Sequence, residues 1–339
     1  MHAGSSPASD SPRTSERVAR VRVDVRLDDA TRRRTLAEDV RGGLMALPRR
    51  LPPKYFYDAA GSALFDRITR LPEYYPTRAE RAILGAFGPS LMRALRPEEI
   101  IEIGAGTATK IRPLIRAAST VRRYVPVDVD ESTLTRAAAT LVRVFPDLEI
   151  HGLVGDFERD LAAVPAPLAR RLVAFFGSTL GNLDPPARRR FLRDVRRLLP
   201  EDGRLLVGLD LMKDARVLHA AYDDAAGVTA AFNRNVLRVI NHELDADFVP
   251  EAFHHLARVD ERAERVEMHL VADRGHTVRV GALGLAVRFA AGDDIWTESS
   301  YKFTRPGVET MLADAGLTLD RWLTDPEGRF AVVVAGPTP

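Results

Sequence analysis

Ile101-Glu102-Ile103-Gly104-Ala105-Gly106-Thr107-Ala108-Thr109-Lys110 joins a β-rich run that begins at Glu99 to a helix-compatible segment, Ile111 to Ala118, through a Gly-x-Gly turn. Glycines there let the backbone approach a ligand closely, and the following helix offers its N-terminal N–H groups. One such turn is weak by itself, because chains use glycine for conformational freedom in many turns.

The same pattern recurs along the chain at doubly wound spacing. Tyr124-Val125-Pro126-Val127-Asp128 reads as a second strand ending in an acid, where such folds bond ribose hydroxyls. Ile150 to Val154 reads as a third strand, running into Gly155-Asp156-Phe157. Leu172 to Phe176 is a fourth, running into Gly177-Ser178-Thr179-Leu180-Gly181-Asn182, and Leu205 to Leu209 is a fifth, ending at Asp210. Loops after successive parallel strands open on one edge of the sheet, where these folds bind ligands. The expected fold class is therefore α/β, with a doubly wound, Rossmann-like sheet.

The ligand follows by exclusion. A dinucleotide fingerprint wants a third glycine where Thr109 stands, and there is no Gly-x-x-x-x-Gly-Lys-Ser/Thr loop for a nucleoside triphosphate. Glu102 before the turn, Asp128 after the second strand and Asp156-Phe157 after the third suit S-adenosylmethionine better. That molecule carries a ribose, an adenine and an amino-acid ammonium, and no phosphate.

Composition narrows the class further. The 339 residues are 45% hydrophobic, enough for a large core, and no run approaches the ~18 apolar residues of a membrane span. No apolar signal region follows the first residues, so a cytoplasmic protein away from membranes is expected. The absence of cysteine excludes disulfides, thiolate nucleophiles and thiolate metal sites. His254-His255 lacks a helical i, i+4 spacing and an acidic context, so no metal is expected. Net charge is only +2 and the arginines are dispersed rather than striped, which argues against nucleic acid as a partner. Only four of the 49 basic residues are lysines: Lys54, Lys110, Lys213 and Lys302, each inside or beside a segment singled out on other grounds. Arginine cannot replace a compact ammonium where space is tight.

Residues 1–20 are rich in Ser, Pro and Arg and read as a disordered tail. Val21, Val23, Val25 and Leu27 alternate with polar residues as a first strand, and Leu36 to Leu47 reads as a helix weakened by Gly42-Gly43. The aromatic segment Leu51-Pro52-Pro53-Lys54-Tyr55-Phe56-Tyr57-Asp58 cannot be a helix interior, because of its prolines. Gly61 to Arg70 reads as a helix, and a second aromatic loop, residues 71–80, follows. In that loop Thr77 and Glu80 form a capping box for a helix reaching Ala86. Beyond the fifth strand, two helices (214–222 and 229–244) precede strand-like segments at 253–259, 263–272 and 276–289. Trp296, Glu298, Ser300 and Lys302 then follow at period two. A helix at 308–315 and two strands, 317–322 and 330–334, close the chain. Asp223-Asp224 reads as a solvated helix end.

From about residue 30 onward the sequence resembles the L-histidine Nα-methyltransferases of ergothioneine biosynthesis, a branch of the class I S-adenosylmethionine-dependent methyltransferases. The segments that carry the resemblance are LPPKYFYD (51–58), LPEYYPTRAE (71–80), FGSTLGN (176–182), AYDDAAGVTAAFNRN (221–235), INHELDADF (240–248), the Met268 strand and TESSYKFT (297–304). It implies a Rossmann-like methyltransferase domain (77–211 and 301–339) with an inserted α+β substrate-binding domain (21–76 and 212–300). Gly104, Lys110, Asp128, Asp156 and Phe157 would hold the methyl donor, with Asp128 at the ribose and Asp156-Phe157 near the adenine. Tyr74, Asn182 and Tyr222 would grip the α-amino and α-carboxylate groups of histidine. Glu298 and Ser300 would bond the imidazole, and Met268, Gly177, Thr179 and Phe232 would line the pocket. Tyr57 would lie beside the amine, sharing the catalytic role with Asn182, although Tyr55 competes for that position in the register.

The implied product is the trimethylated α-amine, hercynine. Glu298 and Ser300, two apart on a strand, share one face and together can pair with both imidazole nitrogens. A related amino-acid N-methyltransferase, acting on a tryptophan derivative, is the alternative on the same scaffold. With no apolar surface seam visible, a monomer is expected.

Overall fold

The computed structural model describes residues 20–339. The expected tail lies outside these residues except for Arg20. The chain opens with β1 (Val21–Val25), α1 (Asp29–Met45), β2 (Arg49–Arg50), α2 (Ala59–Ile68) and α3 (Pro76–Leu95). The doubly wound part follows as β3 (Glu99–Ile103), α4 (Ile111–Ala117), β4 (Arg123–Asp128), α5 (Glu131–Val144), β5 (Glu149–Val154), β6 (Arg171–Phe175), α6 (Pro185–Leu198) and β7 (Arg204–Asp210). Then come α7 (Ala215–Tyr222), α8 (Val228–Leu244), β8 (Phe253–Asp260), β9 (Arg265–Ala272), β10 (His276–Val280), β11 (Leu285–Phe289) and β12 (Asp294–Tyr301). The chain closes with α9 (Arg305–Ala313), β13 (Leu317–Thr324) and β14 (Phe330–Pro337).

Eight strands form the main sheet in the order β1-β5-β4-β3-β6-β7-β14-β13. β1 to β7 of this sheet run parallel, and β14 lies antiparallel to both β7 and β13. All residues of β3 and β6 are buried, because helices cover both faces of the sheet and two separate cores result. β1 pairs along its whole length with β5, so residues 21–25 belong to this sheet and not to the substrate-binding part expected for 21–76.

A third core gathers Leu36, Val40 and Leu44 of α1, Phe56 of the loop before α2, Phe232 and Val236 of α8, and Met268 and Leu270 of β9. Its sheet runs β2-β12-β9-β8, beside the β10–β11 hairpin. The expected single strand 276–289 is broken at Gly281–Leu283, where Gly284 turns at φ +56°. The Gly42-Gly43 pair does not end α1. A Cβ on Gly43 would sit 2.0 Å from the Arg50 carbonyl oxygen, so this glycine lets helix and strand meet.

Two further expectations fail for physical reasons. α3 starts after Tyr75 with no side-chain cap, and Thr77 and Glu80 are both buried. Glu80 finds partners in the core, described below, in place of its own helix's N–H groups. α3 also runs past Ala86 through Pro89, with Leu91 and Met92 buried beyond it. Asp224 is not solvated either: it is 5% exposed and accepts from the N–H groups of Val228 and Thr229, capping α8.

Candidate active site

The ends of β3, β4 and β5 build one half of the site. After β3 the chain turns at Gly104 (φ +66°) and Gly106 (φ +50°), and a side chain added at either would meet nothing within 4 Å. The space before the turn is open, as close backbone approach by a ligand requires. Asp128, ending β4, accepts from Gly106 N–H at 2.8 Å and Asp130 N–H at 3.0 Å. An ionised carboxylate has about four acceptor sites, so two remain for hydroxyls. Burial raises the Asp128 carboxyl, and those backbone bonds oppose the rise. Beyond β5, Asp156 is buried and bonded by Lys54 at 3.3 Å, and Phe157 packs edge-on against Phe175 and Phe191. Glu102 is enclosed and accepts from the Tyr124 hydroxyl at 2.5 Å. Burial pushes its carboxyl up to about 8, and Tyr124 engages one of its oxygens inside the core.

Glu80 and Lys110 form the floor. Their 2.6 Å ion pair leaves the other Glu80 oxygen to accept the Gly177 N–H at 2.8 Å, and the Glu80 side chain is fully enclosed. A Cβ at Gly208 would approach that oxygen to 2.0 Å, so β7 carries glycine where the carboxylate passes. Gly177 (φ +79°) and Ser178 (φ +58°) bend the chain after β6 into the single turn Thr179–Asn182. Gly181 in this turn lies against the backbone of Tyr301, which brings Asn182 to the end of β12.

The other half of the site is aromatic. Phe56 and Tyr57 come from the loop before α2, Phe65 from α2, Tyr74 from the second aromatic loop and Phe232 from α8. Phe232 lies 4.7 Å from Phe56, 5.5 Å from Tyr57 and 5.9 Å from Phe65 between ring centres, and Phe65 also meets Tyr74 edge-on. Burial raises the Tyr74 and Tyr222 phenols well above their ordinary range, helped by the nearby carboxylates Glu298 and Asp210, so both remain protonated donors. Tyr55 points elsewhere. Its hydroxyl donates to Asp39 at 2.7 Å, and Lys54 bridges Asp39 to Asp156.

A β-bulge determines which face of β12 enters the site. Trp296 pairs with His269 and Glu298 with Met268, so Thr297 is the extra residue. Trp296 therefore does not share a face with Glu298, contrary to the period-two reading. It stacks on His269 beneath Arg265 on the outer face, while Glu298 and Ser300 join Met268 on the inner one. Ser300 accepts from the Tyr222 hydroxyl at 2.7 Å and from Lys302 Nζ at 2.8 Å. Lys302 also bonds the Tyr222 oxygen at 2.8 Å and Asp210 at 2.9 Å. Asp210 further receives Tyr75 at 2.7 Å and Lys213 at 2.6 Å. Burial would raise its carboxyl, but Lys302 and Lys213 hold it below the ordinary value. Among the described residues, Glu298 has no such partner. Desolvation pushes its carboxyl up to about 7, with Lys302 opposing.

All four lysines thus make ion pairs beside the strand ends of the main sheet: Lys54 with Asp39 and Asp156, Lys110 with Glu80, and Lys213 and Lys302 with Asp210. The sequence reading missed Phe56, Phe65, Glu80 and the role of Asp210 here. The scarcity of lysine was a signal for Glu80 and Asp210, which pair with Lys110, Lys213 and Lys302.

The doubly wound sheet and the open glycine turn after β3 fit the S-adenosylmethionine-dependent methyltransferase class, which the family match shows. Residues 36–337 match the family described as "Histidine-specific methyltransferase, SAM-dependent". The chain is 50% identical over 303 residues to Histidine N-alpha-methyltransferase of Mycolicibacterium smegmatis, covering 88% of this chain and 94% of that one. It is 48% identical over 319 residues to the protein of the same name from Mycobacterium tuberculosis, covering 93% and 99%. A 4-dimethylallyltryptophan N-methyltransferase of Claviceps purpurea is 24% identical over 308 residues, 84% of this chain and 89% of that one. The chain belongs to the histidine-specific, S-adenosylmethionine-dependent methyltransferase family.

Proposed function

We propose that this protein transfers methyl groups from S-adenosylmethionine to the α-amino group of L-histidine until it is trimethylated, giving hercynine for ergothioneine synthesis. The observation that carries the reading is the inner face of β12. Glu298 and Ser300 stand there beside Met268, and Glu298 is near Tyr57 of the aromatic enclosure. The high identity to two histidine N-alpha-methyltransferases supports the same substrate.

In this reading Gly104, Lys110, Asp128, Asp156 and Phe157 hold the donor, which supplies an electrophilic methyl group on a sulfonium. Glu298 and Ser300 hold the imidazole, and Tyr74, Asn182 and Tyr222 hold the amino-acid end, with Gly177, Thr179, Phe232 and Met268 lining the pocket. Fixing the amine in line can supply ~7–11 kcal/mol of the acceleration. An α-amine with pKa about 8 must lose a proton before each transfer. That proton leaves to solvent, and Tyr57 and Asn182 present oxygens that can accept a hydrogen bond from the neutral amine and orient its lone pair. As methyl groups replace N–H donors, the rings of Tyr57, Tyr74, Phe65 and Phe232 offer faces to the growing quaternary ammonium.

The smaller sheet with α1, α2, α7 and α8 is proposed to bind substrate and the main sheet to bind the donor. We also propose a cytoplasmic monomer. No helix among the described residues is long and apolar enough to cross a membrane. The test is mass spectrometry of small molecules after incubation with S-adenosylmethionine and histidine, beside tryptophan, arginine and tyrosine. Gains of one to three methyl groups on histidine alone are expected. Preferential methylation of tryptophan or another amino acid would overturn the substrate and keep the chemistry.

A further inference from the structure

Lys302 is wholly enclosed and donates to three oxygens at once: Asp210, the Tyr222 hydroxyl and Ser300 Oγ. An ammonium has three N–H groups and no lone pair, so all three oxygens must act as acceptors toward it. Tyr222 and Ser300 are also bonded to each other at 2.7 Å, which takes one hydroxyl proton. The Tyr222 hydroxyl donates to Ser300 Oγ, so that proton belongs to Tyr222. Ser300 Oγ then has both lone pairs engaged. Among the described residues, no other nitrogen or oxygen takes its proton.

We propose that Lys302 is a positioning residue that locks Ser300 as a hydrogen-bond donor into the pocket, so that the site selects a ring presenting a lone pair to Ser300 and an N–H to Glu298. This rests on the reading that β12 holds the substrate's imidazole, and it adds the direction of each bond. A lone serine hydroxyl could turn to suit a donor or an acceptor. With its own acceptor sites filled by Tyr222 and Lys302, it cannot. A ring with C–H in place of the lone pair would leave the Ser300 proton buried and unbonded, which is costly. Arginine cannot deliver the same three-way contact in a site with no exposed surface.

The test compares two rings on the same amino-acid frame. Binding of L-histidine is measured by calorimetry beside the pyrrol-2-yl and pyrrol-3-yl alanines, with S-adenosylhomocysteine present. Each pyrrole keeps one N–H and lacks the second nitrogen, and the pair covers both ring orientations. Wild type is expected to favour histidine strongly over the better pyrrole. In Lys302→Gln, whose amide carbonyl can take the serine proton, and in Lys302→Met, the preference should shrink by about tenfold, the scale of one buried unpaired donor. Ser300→Ala should abolish or invert it. If Lys302 merely supports the fold, both ligands weaken in proportion and the ratio stays, which overturns the proposal. If wild type itself shows no preference for histidine over the pyrroles, the imidazole reading of Glu298 and Ser300 fails instead. Thermal melts establish which variants are folded, and Lys302→Gln decides the matter if Lys302→Met is not.

Discussion

Lys110 and Glu80 stand 2.6 Å apart, although Lys110 heads α4 and Glu80 lies in the second turn of α3. The pair closes the base of the cleft. Through its other oxygen Glu80 also holds the Gly177 N–H, so one enclosed carboxylate anchors the donor turn and the loop after β6 together.

Removing that anchor should be costly. Glu80→Leu leaves Lys110 without its partner and Gly177 N–H without an acceptor. A loss of about 3 kcal/mol in unfolding free energy is expected, as for other broken buried ion pairs. Urea denaturation measures it, and a loss below about 1 kcal/mol would refute the anchoring role. Lys110→Met should be destabilising as well, because it leaves the fully enclosed Glu80 carboxylate without its cation, and it should in addition weaken S-adenosylmethionine binding.

Glu298→Gln should weaken histidine binding far more than donor binding, and an equal loss for both would sink the assignment of this carboxylate. The pH dependence has a definite sign. The Glu298 carboxyl sits at about 7 when folded against an ordinary 4.5. It becomes an ionised acceptor only above about pH 7, so histidine affinity should fall as pH drops through that value. The affinity gap between wild type and the Gln variant should narrow with it. The folded state holds this proton more tightly than the unfolded chain does, so its contribution to stability declines from about pH 4.5 to about pH 7. Glu298→Gln removes that penalty and, with the partial exposure taken into account, should stabilise the ligand-free protein by about 1 kcal/mol at pH 8. A melting scan at pH 5 and pH 8 checks the difference.

Tyr57→Ala should release mono- and dimethylated histidine, because the later methyl transfers lose an aromatic face beside the ammonium. Fully trimethylated product alone would argue against the role. Tyr55→Phe removes the bond to Asp39 and leaves the enclosure around Phe232 intact, so its product distribution should match wild type.

Gly106→Val places a β-branched residue at φ +50°, at a cost of about 1–3 kcal/mol. Its Cβ would enter the open space before the turn with nothing within 4 Å. S-adenosylmethionine binding should fall at least tenfold, while histidine binding measured without donor changes little. Donor affinity close to wild type would mean that the ligand does not approach this turn.

The doubly wound core was legible because its signals are local: buried β runs, each ending in a glycine or an acid, separated by helical stretches. β12 was only partly legible. Glu298 and Ser300 are two apart and share a face, as alternation requires, but the same rule misplaces Trp296, since nothing in the sequence marks Thr297 as a bulge. Thr77 and Glu80 have the spacing of a capping box, and burial of Glu80 against Lys110 and Gly177 outweighs that local preference. β1 carries the alternation of a half-buried strand but no sign of which sheet it joins.

The sequence by itself determined the α/β class, the ligand-binding edge and its glycine turn. Each depends on periodicity or on short-range chemistry within a few residues. The tertiary structure alone decided the enclosure of Phe65 with Phe56, Tyr57, Tyr74 and Phe232, and the convergence of Lys302, Tyr222, Ser300 and Asp210. Tyr222 and Ser300 are 78 residues apart in the chain, and their 2.7 Å contact arises only when α7 packs against the end of β12. In that buried setting a hydroxyl's direction is fixed by which neighbours have protons to give, and no local pattern in the chain encodes that.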